Sequence, residues 1–228
     1  MYDIYGDLVV LTKKGSIIEL LKKNHKKICV RSAVSTAHRI YNVEWVSPYK
    51  QNEFSYRYLH KEGNMLLYGD VKQVYYCPRY HFERVQIKKI LEQLKGTPIT
   101  IVGSGISPYS IILSENHEIT EFEPNQRAVH YGAINLKLNN CTATTYAQEY
   151  NGQPNKIILS MVPAAPREFH LSYTFEKCCI FYVLLDQSEL EPYVKLIETH
   201  YQTPVEHRMV RGYSKTQRIY RFILVKSD

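Results

Sequence analysis

The stretch Ile99-Thr-Ile-Val-Gly-Ser-Gly-Ile-Ser-Pro108 reads as a strand, a glycine turn and the start of a helix. Gly103 and Gly105 permit a tight turn and let a ligand approach bare backbone. A turn at the carboxyl end of a first strand is also where open α/β sheets bind their ligands. A dinucleotide-binding turn wants a third small residue where Pro108 stands, so that the helix can close on the strand, and the proline argues against NAD. The next strand, within Ile119-Thr-Glu-Phe-Glu-Pro-Asn125, puts Glu121 18 residues after Gly103. At that distance a carboxylate can accept hydrogen bonds from both hydroxyls of a ribose. Alone, Glu121 could be a solvated strand-end acid; with the turn it points to a nucleoside-containing ligand.

The elements that must hold these residues follow an alternating rhythm. A helix from about Phe82 to Leu94 leads into the strand Ile99 to Val102. A helix over Pro108 to Leu113, the strand Ile119 to Phe122 and a helix from Asn125 to Leu138 come next. Strands over Ala143 to Tyr146, Ile157 to Met161 and Cys178 to Leu185, a helix from Ser188 to Tyr201 and two closing strands, Val205 to Val210 and Ile219 to Val225, complete the pass. Alternating strands and helices imply a parallel sheet, with the last two strands as an antiparallel edge. The first part differs. A helix over Ser16 to Lys27 buries Ile17, Leu20 and Leu21, and short β-rich runs from Ile28 to Tyr76 suggest a small α+β module with an antiparallel sheet.

Composition sets bounds on these readings. The 228 residues suffice for two domains, and 44% hydrophobic residues with 22% charged is globular composition. No apolar run approaches the ~20 residues that span a bilayer, and Met1 to Val10 lack the pattern of a signal peptide, so the sequence reads as a soluble cytoplasmic protein. The five cysteines show no C-x2-C pair that would close on zinc, and no metal is expected. The net charge of +7 is uneven: residues 1–86 hold 14 Lys+Arg against 8 Asp+Glu, and residues 87–228 hold 15 against 14. A basic part joined to a near-neutral one suggests that the first meets a polyanion, unless its lysines merely solvate one helix.

Several ordered motifs resemble one family. Glu121-Phe-Glu-Pro-Asn-Gln-Arg-Ala through Asn135 to Asn139 is similar to the "E-x-N-P-x-A…N-x-x-L-N" signature of the archaeal and eukaryotic tRNA (guanine-N1)-methyltransferases that act at position 37 beside the anticodon. The wybutosine-pathway aminocarboxypropyl transferases are similar too. His60-Lys-Glu-Gly-Asn64 resembles "H-K-E-N-G", and Gly69 to Arg84 resembles "D-V-x-K-V-Y-F-S-P-R-L-x-x-E-R". Met161-Val-Pro163 with Glu168-Phe169 resembles "N-L-P…E-F", and Val210-Arg-Gly-Tyr213 resembles "V-R-S-Y". The likeness runs from about Gly6 to Val225.

The resemblance implies a class I methyltransferase (Rossmann-like) domain over residues 82–228, preceded by a small basic α+β tRNA-binding domain over residues 1–81. It implies S-adenosylmethionine as cofactor, the tRNA anticodon stem-loop as partner, and a monomer. Guanine N1 carries a proton at neutral pH, so its methylation needs a base and a group to stabilise charge on O6. The family positions for these roles fall on Glu83 and Arg39. The cofactor is expected against Tyr76, Pro78, Gly103, Ser104, Gly105, Glu121, Phe122, Gln148 and Pro163, and RNA against Lys22, Lys26, Arg79 and Arg84. One or two of Tyr41, Tyr49, Tyr56, Tyr58, Tyr68, Tyr75 and Tyr76 would stack on splayed bases, the rest packing the sheet.

Three departures stand out. Ile101 replaces the family aspartate at the end of the first catalytic-domain strand, and Met161 replaces the asparagine of "N-L-P". The further N-terminal domain that many relatives carry is not expected before Tyr5. The wybutosine-pathway paralogues lack the asparagine as well, which makes aminocarboxypropyl transfer the competing reading. Pro163 and Tyr76-Cys-Pro-Arg79 favour the methyltransferases, and the retained Arg39, Glu83 and Glu121 weigh against a non-catalytic binding protein.

Overall fold

The computed structural model describes residues 2–12, 27–34, 41–45 and 56–226. The expected helix at Ser16 to Lys27, with Lys22 and Lys26, lies outside the described residues except for Lys27, and so do Arg39 and Tyr49. Two compact units divide the chain: residues 1–90, 105–112 and 125–142 form the first, and residues 91–104, 113–124 and 143–228 the second.

In the first unit, strands β1 (Tyr2–Tyr5), β2 (Leu8–Leu11), β3 (Lys27–Val34) and β4 (Tyr41–Trp45) form a sheet in that order. The β2–β3 pair is parallel, whereas a wholly antiparallel sheet was expected; pairing partners far apart in sequence leave no local trace. Val9, Leu11 and Ile28 pack as its apolar face. Strands β5 (Arg57–Glu62) and β6 (Met65–Asp70) form a separate hairpin, closed by Gly63-Asn64 with Gly63 at φ +58°. The strand expected to run on to Tyr76 therefore stops at Asp70. Helices α1 (His81–Leu91), α2 (Pro108–Leu113) and α3 (Gln126–Leu138) complete the helical part.

The asparagines of the "N-x-x-L-N" signature clamp α3 to β6. Asn135 Oδ1 accepts from the Tyr68 amide at 2.7 Å while its Nδ2 donates to the carbonyls of Tyr68 and Ile106. Asn139 brackets Leu66 in the same way, accepting at 2.9 Å and donating at 2.7 Å. Each carboxamide thus satisfies both partners of a strand residue that would otherwise lack them. The motif holds the hairpin in place. Asn125 caps α3, accepting from the amides of Arg127 and Ala128.

The second unit is one seven-stranded sheet of order β12-β13-β11-β10-β7-β8-β9: β7 (Ile99–Val102), β8 (Ile119–Phe122), β9 (Thr144–Tyr146), β10 (Asn155–Ser160), β11 (Phe175–Asp186), β12 (Val205–Gly212) and β13 (Gln217–Val225), with helices α4 (Arg167–Leu171) and α5 (Leu190–Tyr201). All neighbours are parallel except β13, which runs antiparallel to both β11 and β12, as the two closing strands implied. One face of the sheet carries an aromatic core in which Phe181 stacks on Phe222 at 5.3 Å and Tyr193 meets Phe222 edge-on at 5.4 Å.

His170 belongs to this core. Its ring lies 5.2 Å from that of Phe181, and burial pushes its pKa down to about 4. The folded value lies below the unfolded value of 6.5, so the unfolded chain binds more protons between these limits. Stability is therefore full above about pH 6.5 and falls as the pH drops towards 4. The expected loss between pH 7 and pH 5 is about 2 kcal/mol, read as a shift in urea midpoint. In His170→Phe this component should vanish; an unchanged pH profile would assign it to other groups.

Candidate functional site

In the second unit the sheet order reverses at β7, which has β8 on one side and β10 on the other. Ligands of open α/β sheets bind at the carboxyl ends of such strands. Gly103 sits there at φ +73°, its amide donating to the Phe122 carbonyl at 2.8 Å, so it lies directly beside the end of β8. A Cβ on Gly103 would come within 2.5 Å of Val162 Cγ1, so only glycine fits this turn. Met161 donates its amide to the Val102 carbonyl and runs along the other side of Gly103.

Glu121 is the cross-strand partner of Ile101 and has no exposed surface. Thr145 on β9 donates its hydroxyl to Glu121 Oε2 at 3.0 Å. A buried carboxylate two ladder positions from the glycine turn is costly unless hydrogen-bond donors surround it. Thr145 supplies one of them, and a ribose would supply more. Phe122 is buried and stacks on Tyr146 at 5.1 Å, leaving Tyr146 45% exposed. Ser104 and Pro163 are buried, Pro163 fixed by the Leu184 amide donating to its carbonyl, while Gln148 is exposed. The structure thus brings Gly103, Glu121 and Phe122 together at the ends of adjacent strands, and the fit to a nucleoside-bearing cofactor is good. Ile101, fully buried, contributes no polar group.

The other expected residues lie in the first unit. Tyr76 is buried, donates its hydroxyl to Glu62 Oε2 at 2.5 Å, and is held at its own carbonyl by the Tyr5 hydroxyl at 3.0 Å. Arg84 grips the same carboxylate in a two-pronged pair, with Nε at 2.6 Å from Oε1 and Nη2 on Oε2, and His81 Nδ1 stands 3.1 Å from Oε1. Burial would raise the Glu62 pKa, but the Arg84, Tyr76 and His81 hydrogen bonds outweigh it and hold the carboxylate below its ordinary value. The "H-K-E" and "E-R" motifs are therefore two halves of one buried network.

That network corrects one expectation. Arg84 was to meet RNA, but its side chain is 2% exposed and its guanidinium is committed to Glu62. The same guanidinium also donates to the Tyr76 hydroxyl at 3.2 Å. Arg79 is exposed and pairs with Asp3 at 2.6 Å. Glu83 lies in the first turn of α1 and is buried, and Pro78 and Gly105 sit on the turns preceding α1 and α2. Among the described tyrosines of the stacking set whose side chains are placed, Tyr58 and Tyr76 are buried and Tyr56, Tyr68 and Tyr75 partly exposed. Glu62→Ala should destabilise the protein by about 3–5 kcal/mol, because Arg84 is left as a buried, unpaired charge. Chemical denaturation with an unchanged m-value would show it; a loss under 1 kcal/mol would mean water reaches the guanidinium.

The seven-stranded order with its antiparallel β13 and the glycine turn beside an acidic strand end define the class I methyltransferase fold. No model of a known protein family matches the sequence. The chain is 23% identical to a tRNA (guanine(37)-N(1))-methyltransferase of Methanocaldococcus jannaschii, over 96% of its own length and 68% of that protein's. It is 26% identical to a tRNA (guanine(37)-N(1))/4-demethylwyosine(37)-methyltransferase of Nanoarchaeum equitans, over 82% and 67%. Among solved structures, the complex of aTrm5 with tRNALeu superposes with a TM-score of 0.81 at 21% identity, covering 100% of this chain and 72% of that one. TYW2 of Methanocaldococcus jannaschii, in complex with AdoMet, superposes with a TM-score of 0.73 at 14% identity, covering 98% of both. The likeness drawn from the motifs is borne out over almost the whole chain.

Among the described residues, no group of three or more His, Cys, Asp or Glu is placed to hold a metal ion, and no helix is long and apolar enough to cross a membrane.

Proposed function

We propose that this protein is an S-adenosylmethionine-dependent tRNA methyltransferase that methylates N1 of guanosine at position 37, next to the anticodon. The observation that carries the reading is the buried Glu121 beside Gly103 at the switch point of the sheet. Its relatives include enzymes named for that reaction. Residues 1–81 act as the basic RNA-facing part and residues 82–228 as the catalytic part, in a cytoplasmic monomer that needs no metal.

Bound S-adenosylmethionine would supply an electrophilic methyl group. Glu121 would accept hydrogen bonds from its ribose, and Gly103, Ser104 and Gly105 would give bare backbone for the rest of the cofactor. Phe122, Gln148 and Pro163 would complete the walls. Glu83 would take the N1 proton as the methyl group passes from the sulfonium sulfur to N1, leaving S-adenosylhomocysteine, and Arg39 would stabilise the charge that develops on O6. Lys22, Lys26 and Arg79 meet the phosphates of the anticodon stem-loop.

One observation favours a second reading. Met161 offers no side-chain hydrogen bond to orient a base edge, a feature shared with the wybutosine-pathway aminocarboxypropyl transferases, and the TYW2 fold covers this chain end to end. Incubation with a tRNA transcript and cofactor labelled on either the methyl or the carboxypropyl group separates the two. Methyl label in RNA is expected; carboxypropyl label would establish the second reading.

A further inference from the structure

The near-neutral charge of residues 87–228 conceals a basic region at its end. Between Val205 and Lys226, Arg208, Arg211, Lys215, Arg218, Arg221 and Lys226 face a single acid, Glu206. These residues form β12, β13 and the turn between them, and β12 is the outermost strand of the sheet. We propose that this edge, centred on Arg208, Arg211 and Lys215, is a phosphate-contacting surface for RNA. The proposal rests on the reading of the protein as a tRNA-modifying enzyme and adds a surface that the basic first unit does not supply.

The strand register builds the surface. Tyr220, Phe222 and Leu224 of β13 point into the aromatic core, so their partners on β12, Met209, His207 and Val205, share that face. Arg208 pairs with Arg221 on the opposite face. In a regular strand Arg211, three residues on, would return to the core face. The ladder slips between Met209 and Arg211, and Arg211 pairs with Ile219 instead, which keeps it on the same face as Arg208 and Arg221. The bulge aligns Arg208 and Arg211 on one side of the hairpin, where Arg221 of the neighbouring strand is buried. Arg208 and Arg211 sit two ladder steps apart, about 6.6 Å along the strand.

Arg208 lies directly across from Arg221, whose side chain is buried, so the charge presented along this edge is that of Arg208, Arg211 and Lys215. Charged residues also protect an edge strand from pairing with another chain, but mixed signs serve that purpose equally well. Here the excess is all of one sign. Arg208 and Lys215 are exposed, Arg218 buttresses the turn by donating to the carbonyls of Ser214 and Lys215 at 3.0 and 3.3 Å, and Tyr213 at the turn is 55% exposed, offering a ring on which a base can stack.

The test uses the full chain with Arg208→Gln, Arg211→Gln and Lys215→Gln combined, alongside a variant carrying Arg208→Lys and Arg211→Lys. Affinity for a tRNA transcript is measured by filter binding across a salt series, with S-adenosylmethionine binding followed by calorimetry. The triple variant should bind tRNA about tenfold more weakly, with the slope of log affinity against log salt reduced by about 2, because each lost phosphate contact removes 0.7–0.9 of a unit. Its cofactor affinity should be unchanged, and the lysine variant should keep the wild-type slope. Wild-type affinity and slope in the triple variant would overturn the proposal. So would a loss confined to anionic phospholipid vesicles, with tRNA binding intact. Failure of the wild-type protein to bind tRNA at all would instead remove the functional reading on which the proposal stands.

Discussion

Glu121→Ala is expected to weaken S-adenosylmethionine binding about 100-fold, measured by calorimetry. A hydrogen bond to a charged group contributes about 1.5–3 kcal/mol, and two ribose hydroxyls donating to one carboxylate reach the 2.7 kcal/mol that a 100-fold change requires. The geometry supports the upper part of that range. Glu121 is buried, and Thr145 loses the acceptor of its hydroxyl in the same step. Glu121→Gln keeps one acceptor oxygen and should fall between wild type and alanine. A urea midpoint measured in parallel separates lost affinity from lost folding. Unchanged affinity in a folded Glu121→Ala protein would remove the ribose assignment.

The second large effect concerns the proton on guanine N1. General-base catalysis contributes about 10²–10⁴ in rate, so Glu83→Gln should slow methyl transfer at neutral pH by at least about 100-fold. Its tRNA and cofactor affinities should stay within a few-fold of wild type, because the amide is isosteric and Glu83 opens α1 without being one of the expected phosphate contacts. Single-turnover rates resolve this from slow product release. The defect should shrink as the pH rises and solvent takes the proton unaided. Wild-type rates would mean that another group, or water, is the base, and Glu83 would then serve to complement the amino terminus of its helix.

Much of this site was legible locally. The run Ile99 to Val102, the glycines after it and the spacing to Glu121 are all short-range features, and the structure puts Gly103 and the end of β8 side by side. The hairpin turn at Gly63-Asn64 was equally local. Arg84 was not. Its type and neighbours suggested a surface cation, and only the hairpin reversal and the turn before α1 bring Glu62, 22 residues earlier, onto its guanidinium. The parallel β2–β3 pairing is a long-range choice of the same kind. The basic edge at β12 is hidden for another reason: over residues 87–228 its charge cancels against acids elsewhere, and the bulge that aligns Arg208 with Arg211 has no signature in residue type. The asparagines at 135 and 139 show the reverse case, residues visible as a motif whose work in the structure is to hold a strand.

The most direct measurement is methyl transfer from labelled S-adenosylmethionine to two tRNA transcripts that differ only in the base at position 37, followed by digestion to nucleosides. The account predicts N1-methylguanosine from the transcript with guanosine there and no methyl label in the one with adenosine. No methyl label in either transcript, or equal label in both, would contradict it.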